Sequence, residues 1–266
     1  MRLGLSLAFC FLAALAAAQT PAPAAAPAKP ARTGYLSSAQ MPDIVRIVPA
    51  APSPGDSRDA ADQAIFRATR SLEGSPRWTL ARADDDFTAA GVLKALSCAL
   101  GASVTNTTAP LTTALIARVN VDTTAAATVL KDKYQRKRPF QVAEGNICIP
   151  RTAALERSPD YPSGHATIGW GAGLVLAELA PDAASNILAR ARAYGESRVV
   201  CGAHNLTAVE AGWSVASVVI AAVHGSTAFR ADADAARAEL AALRGASTAT
   251  LQGCALEADT LSKKPF

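Results

Sequence analysis

The sequence is poor in aromatic residues, at 5% of 266 positions, and poor in charge, at 18%. A core must then be built from Ala, Leu, Val and Ile, side chains small enough for helices to pack closely. Strand-like alternation is nearly absent, which argues against a sheet. No two cysteines are spaced as C-x-x-C, which argues against a zinc site. Beyond the first residues the longest apolar stretch lies near 213–223, too short to span a bilayer. The formal charge is a mild and scattered +4, which does not point to nucleic acid. Only three histidines are present, so their positions carry information. Half of the residues are apolar, enough for a substantial core and against disorder throughout.

Residues 1–18 read as a secretory signal peptide: a basic start at Arg2, an apolar run, and Ala16-Ala17-Ala18 before Gln19. This places the protein in the periplasm or outside the cell. Residues 19–39 are Pro/Ala-rich and read as an extended tether. The four later cysteines, Cys98, Cys148, Cys201 and Cys254, then suit two disulfides, with three connectivities open. The stretch from Tyr35 to Pro54 has no helical period and is expected to lie over the surface.

Helical signals dominate the rest. Asp56/Ser57 opens a helix running through Glu73 to a Gly74 stop. Pro76 opens another through Ala83, and Ala89 to Leu100 ends at Gly101. Leu111–Val119 and Thr123–Tyr134 read as two further helices. Beyond Gly164, helices are expected near 165–180, 183–196, 208–224 and 231–244. The reading is all-α: a single helical-bundle domain over residues 40–250, with 251–266 as a C-terminal tail.

Three segments carry chemistry. Lys131 to Arg138 holds five cations in eight residues, followed by Pro139. An Arg fork and a Lys point charge both suit phosphate oxygens, although cationic last turns of helices are also common. In Pro162-Ser163-Gly164-His165, a turn feeds a helix N-terminus, whose free amides and dipole favour an anion. Ser163 adds a hydroxyl, and His165 could give a proton to a leaving oxygen. From Ser197 to His204, Arg198 and His204 add another fork and another imidazole. Thr207 and Glu210 fit a capping box, which gives Glu210 a structural role.

Taken in order, K-x6-R-P, P-S-G-H and S-R-x5-H resemble the phosphatidic acid phosphatase type 2 (PAP2)/vanadium haloperoxidase superfamily. Within it, the chain is similar to the class A bacterial non-specific acid phosphatases. Phe66 to Arg70, Arg77-Trp78 and Ala83-Asp84 add to the likeness, which extends over residues 40–230. The resemblance implies an all-α acid phosphatase hydrolysing phosphomonoesters with broad specificity, without metal or other cofactor. It makes His204 the nucleophile of a phosphohistidine intermediate and His165 the general acid. Lys131, Arg138, Ser163, Gly164 and Arg198 would bind the phosphoryl group, with the whole cationic run expected to face it. His224 has no assigned role. Opposed protonation needs at the two histidines imply a bell-shaped pH profile. Small phosphomonoesters are the expected substrates, phosphate or vanadate the expected inhibitors, and an oligomer of identical chains is left open.

The sequence departs from the family pattern at one place. The third motif usually continues H-x3-D, and the fourth residue after His204 is Ala208. Glu210, Asn205, a backbone carbonyl or a water would then have to orient the imidazole. Two other readings of the same cradle follow: a vanadate-dependent haloperoxidase, or a weakly active, degenerate phosphate-binding homologue.

Overall fold

The computed structural model describes residues 33–247 and 251–266. The expected signal peptide and most of the Pro/Ala stretch lie outside the described residues. Eleven α-helices and no strand occur among those described. They are α1 (Ile44–Ile47), α2 (Ser57–Thr69), α3 (Pro76–Ala83), α4 (Ala89–Leu100), α5 (Pro110–Tyr134), α6 (Ala153–Arg157), α7 (Gly164–Leu179), α8 (Ala184–Cys201), α9 (Leu206–Val223), α10 (Thr227–Ala246) and α11 (Cys254–Ser262).

Helix punctuation follows the sequence closely in the first half. The Asp56 side chain accepts the Asp59 amide and opens α2, and Ser75 caps α3 with Pro76 in its first turn. Gly101 takes a left-handed φ of 71° where α4 stops, a conformation glycine adopts at no steric cost. The helix expected through Glu73 instead ends at Thr69 and tightens into a 3-10 turn over Arg70–Leu72. The two helices expected between Leu111 and Tyr134 are one of 25 residues, since nothing at 120–122 breaks the ladder. The 35–54 stretch is not merely superficial. Tyr35, Ile44 and Val48 are buried, and α1 packs against α5.

The core centres on α7, which packs along α8, α9 and α5. Close approach is built into the sequence. A Cβ at Gly173 would sit 2.4 Å from the Ala191 Cβ of α8, and one at Gly212 of α9 would sit 2.8 Å from the Ser163 carbonyl. These contacts bring the starts of α7 and α9 and the end of α8 to one end of the bundle. Among the described helices, α9 is long and apolar enough to cross a membrane, longer than the apolar stretch read from the sequence. Its Ala208, Val215, Val219 and Val223 are fully buried, as the inner helix of a bundle requires. Helix α10 closes the bundle through Phe229, Ala233, Ala236 and Leu240.

The cysteines pair as Cys98–Cys254 and Cys148–Cys201. The first ties α11 to α4, and the second ties the segment before α6 to the end of α8.

A buried polar cluster fixes the α3–α4 turn against α8. Asp84 takes both Arg190 Nη groups, at 2.6 and 3.2 Å, and accepts the Ser197 hydroxyl at 2.6 Å. Arg77 donates to the same hydroxyl at 2.9 Å. Removing one partner of such a pair strands the other's charge. Asp84→Ala is expected to lower unfolding stability by about 3–5 kcal/mol. Urea unfolding checks this, the midpoint falling at unchanged m-value.

Candidate active site

Helix α5 ends at Lys131–Tyr134, and Gln135 then takes a left-handed φ of 45°. That reversal brings Arg138 back beside Lys131. Of the five cations in the run, Lys131 and Arg138 line a cavity of about 400 Å³. Lys133 and Lys137 are exposed. Arg136 turns the other way, to Asp59 at 2.8 Å, Asp62 at 3.0 Å and Asp160 at 3.4 Å. The expectation that the whole run faces one anion is thus corrected. The three carboxylates on the far side hold Arg136, and two cations remain for the cavity.

The rest of the cavity comes from two helix ends. Gly164 and His165 enter from the first turn of α7, Arg198 from the last turn of α8, and His204 from the link between α8 and α9. Ser163 does not line it. Fully buried, it caps α7 by accepting the Ala166 amide at 3.3 Å. The mouth is formed by Asp85, Phe87, Ile149, Pro150 and Leu155 among others. His224 lies elsewhere, its ring between the Ile220 carbonyl at 2.7 Å and Glu178 at 2.8 Å.

His204 is almost fully buried and its tautomer follows from its partners. Nε2 lies 3.0 Å from Arg138 Nη1, a group that only donates, so Nε2 carries the lone pair. Nδ1 then carries the proton. It faces the Asp160 carbonyl at 2.8 Å and the Asp160 carboxylate Oδ1 at 3.0 Å. Burial, followed by the charges of Arg138, Lys131 and Arg198, pushes the His204 pKa well below its usual value. The imidazole is therefore neutral at neutral pH.

Asp160 was not singled out in the sequence. It is fully buried, and its carboxylate accepts Asn205 Nδ2 at 2.8 Å and the Asn205 amide at 3.2 Å. Burial pushes its carboxyl up to about 6, opposed first by the charge of Arg136. Its nearness to the P-S-G-H turn was the one available signal. The expected capping box at Thr207 does not form. Asn205 is the N-cap of α9 without a side-chain cap bond, and Asp62 of α2 accepts both the amide and the hydroxyl of Thr207. Glu210 is exposed.

Three cations line the cavity. Lys131 donates to the Pro159 carbonyl, and burial lowers its pKa to about 8. Arg138 is tethered by the carbonyls of Ser158 and Ala203, both at 2.7 Å. Arg198 is 1% exposed, and its Nε has no hydrogen-bond partner. Its Nη1 lies 2.9 Å from Asp85 Oδ1, close enough for charge attraction but misaligned for a hydrogen bond. Such a half-paired guanidinium suits an incoming anion. His165 Nε2 donates to the Asp85 carbonyl at 2.9 Å, with the Asp85 carboxylate 3.5 Å away. Burial and then the Arg198 charge lower the His165 pKa to about 4.

An anion in the cavity opposes those cations, so it must raise the His165 pKa. NMR titration of the three imidazoles is expected to show His224 above its ordinary value, because its two hydrogen bonds outweigh burial, and His165 near 4. Added inorganic phosphate should move His165 upward and leave His224 in place. A downward shift of His165 would contradict the electrostatic picture.

Fold and cavity together define an all-α protein with a cationic pocket of about 400 Å³ beside a buried imidazole. Residues 108–231 match the family model described as PAP2 superfamily, a span that includes Lys131, Arg138, Gly164, His165, Arg198 and His204. The chain is 42% identical to an acid phosphatase of Zymomonas mobilis over 174 residues, 64% of this chain and 65% of that protein. It is 36% identical to a non-specific acid phosphatase of Providencia stuartii over 189 residues, 70% of this chain and 76% of that one. A Salmonella typhimurium non-specific acid phosphatase is 32% identical over 174 residues. The chain belongs to the PAP2 superfamily and, within it, to the acid phosphatases.

Proposed function

We propose that the protein hydrolyses phosphomonoesters of broad structure in two in-line displacements at His204, with no metal ion. The observation that carries this reading is the His204 Nε2 lone pair, held neutral against Arg138 in a pocket with Lys131 and Arg198. Phosphoryl transfer needs positioning and charge around the equatorial oxygens more than covalent assistance. Two guanidinium groups, one ammonium and the Gly164 amide at the start of α7 supply both.

In the first displacement Nε2 forms a bond to phosphorus as the ester P–O bond breaks. The electron pair leaves with the alkoxide, and protonated His165 transfers a proton to it. In the second, water attacks the phosphohistidine, His165 takes its proton, and phosphate departs with His204 neutral again. The substrate's own charge supplies the means of protonating His165, since the dianion counteracts the cations that lower its pKa. Apolar side chains at the mouth, Phe87, Ile149 and Leu155, would tolerate varied leaving groups. Export to an oxidising compartment is part of the proposal, supported by two disulfides and the signal-like start of the sequence.

The test is phosphate release from aryl and alkyl phosphomonoesters between pH 4 and 8 in the presence of a chelator. The reading expects turnover of both classes on the acid side. A folded protein that releases no phosphate would overturn it.

A further inference from the structure

We propose that Asp160 is the positioning residue of His204, doing from the turn before α7 what the family pattern assigns to the acid four residues after the histidine. This rests on His204 being the nucleophile. Position 208 carries no carboxylate. Ala208 is fully buried, and its carbonyl accepts the Ser163 amide at 2.8 Å, clasping the start of α9 to the start of α7. That clasp sets the residues just before Ser163 alongside the His204 ring. Asp160 arrives there with its carboxylate already held by Asn205 through two bonds and faced by Arg136.

Two separate contacts reach Nδ1 from this one residue, and they divide the work. The carbonyl, at 2.8 Å, fixes the ring plane whatever the side chain is. The carboxylate, at 3.0 Å, adds what a carbonyl lacks: a negative charge above its raised pKa of about 6, and one that the imidazole itself favours when it becomes cationic on bonding to phosphorus. Arg138, Lys131 and Arg198 all oppose that positive charge, so a counter-charge on the Nδ1 side is worth most here. Arg136 in turn bridges Asp160 to Asp59 and Asp62. Helix α2 is thereby made part of the support.

Asp160→Asn keeps the carbonyl and the volume, removes the charge and lets an amide N–H compete for Nδ1. The expected result is a fall in kcat of about 10²- to 10⁴-fold. The inhibition constant of inorganic phosphate should stay within about threefold, because Lys131, Arg138 and Arg198 are untouched. A kcat within about threefold of the parent in a folded variant would overturn the proposal. So would equal losses in kcat and phosphate affinity, the mark of a merely structural role. The unaltered protein supplies a second test should the variant fail to fold. The ¹⁵N shifts of the His204 ring are expected to show Nδ1 protonated and Nε2 bare. Protonation of Nε2 in the neutral ring would overturn it as well. If His204→Ala retains turnover, the nucleophile assignment fails instead, independently of these results.

Discussion

His204→Ala is expected to abolish phosphatase turnover, by a factor between roughly 10⁴ and 10⁶, while inorganic phosphate still binds. The two outcomes separate because the side chain removed is the one that bonds to phosphorus, whereas the cradle belongs to other helices. Lys131 comes from the last turn of α5, Arg138 from beyond its left-handed stop, and Arg198 from the end of α8. Arg138 keeps its two carbonyl acceptors when the imidazole is gone, so it has no reason to collapse into the space. Steady-state kinetics and phosphate inhibition of the folded variant check this. Retention of more than about a hundredth of the activity would mean that another group attacks.

The second large effect concerns Arg198, where activity and stability should move in opposite directions. The guanidinium is buried, its Nε is unpaired, and its one charge partner is a carboxylate on the partly exposed α3–α4 turn. A buried charge so poorly matched is unfavourable in the folded protein and is maintained by its use. Arg198→Met, similar in length and apolar, is expected to lower kcat/KM by about 10³-fold, the loss of a preorganised donor to the transferring group. The same variant should be as stable as the parent or gain about 1–4 kcal/mol. Arg138 makes a useful contrast. Its donors are committed to Ser158, Ala203 and His204, so its removal should weaken both activity and fold. Thermal unfolding alongside kinetics distinguishes the two arginines. An Arg198→Met protein that is active, or one that is strongly destabilised, would contradict this picture.

How far the sequence foretold these features varied with the range of the interaction that decides them. Local punctuation was legible. Pro76, Gly101 and the Pro162–Gly164 turn each set a boundary through backbone geometry that the residue itself dictates. The grouping of the candidate residues was legible in the three motifs, to the extent that the fold brings Lys131, Arg138, Gly164, His165, Arg198 and His204, though not Ser163, to one cavity. What escaped depended on partners far along the chain. The first turn of α9 reads as self-capping through Glu210, yet Asp62, 145 positions away, takes the Thr207 bonds. Arg136 looks like one more cation of a phosphate-facing run until Asp59 and Asp62 of α2 are placed opposite it. Asp160 is a single carboxylate in a turn. The clasp between Ser163 and Ala208, the bond from the Asp160 amide to the Arg136 carbonyl and the two bonds from Asn205 set it against His204.

That contact also alters the meaning of Ala208. In the sequence its presence raised a weakly active, degenerate homologue, because the usual orienting acid was missing. The fold supplies an Nδ1 partner for His204 from a different segment, so the missing residue does not leave the ring free to turn.

The central claim is that phosphate passes through His204. Its most direct measurement is rapid mixing with an aryl phosphomonoester, quenching in alkaline denaturant to preserve an N-linked phosphoryl group, and mass spectrometry of the peptides. The account predicts one phosphoryl group on the peptide containing His204, appearing with the released phenol and absent from His204→Ala. Full turnover with no phosphoryl group at His204, or with one at another residue, would contradict it.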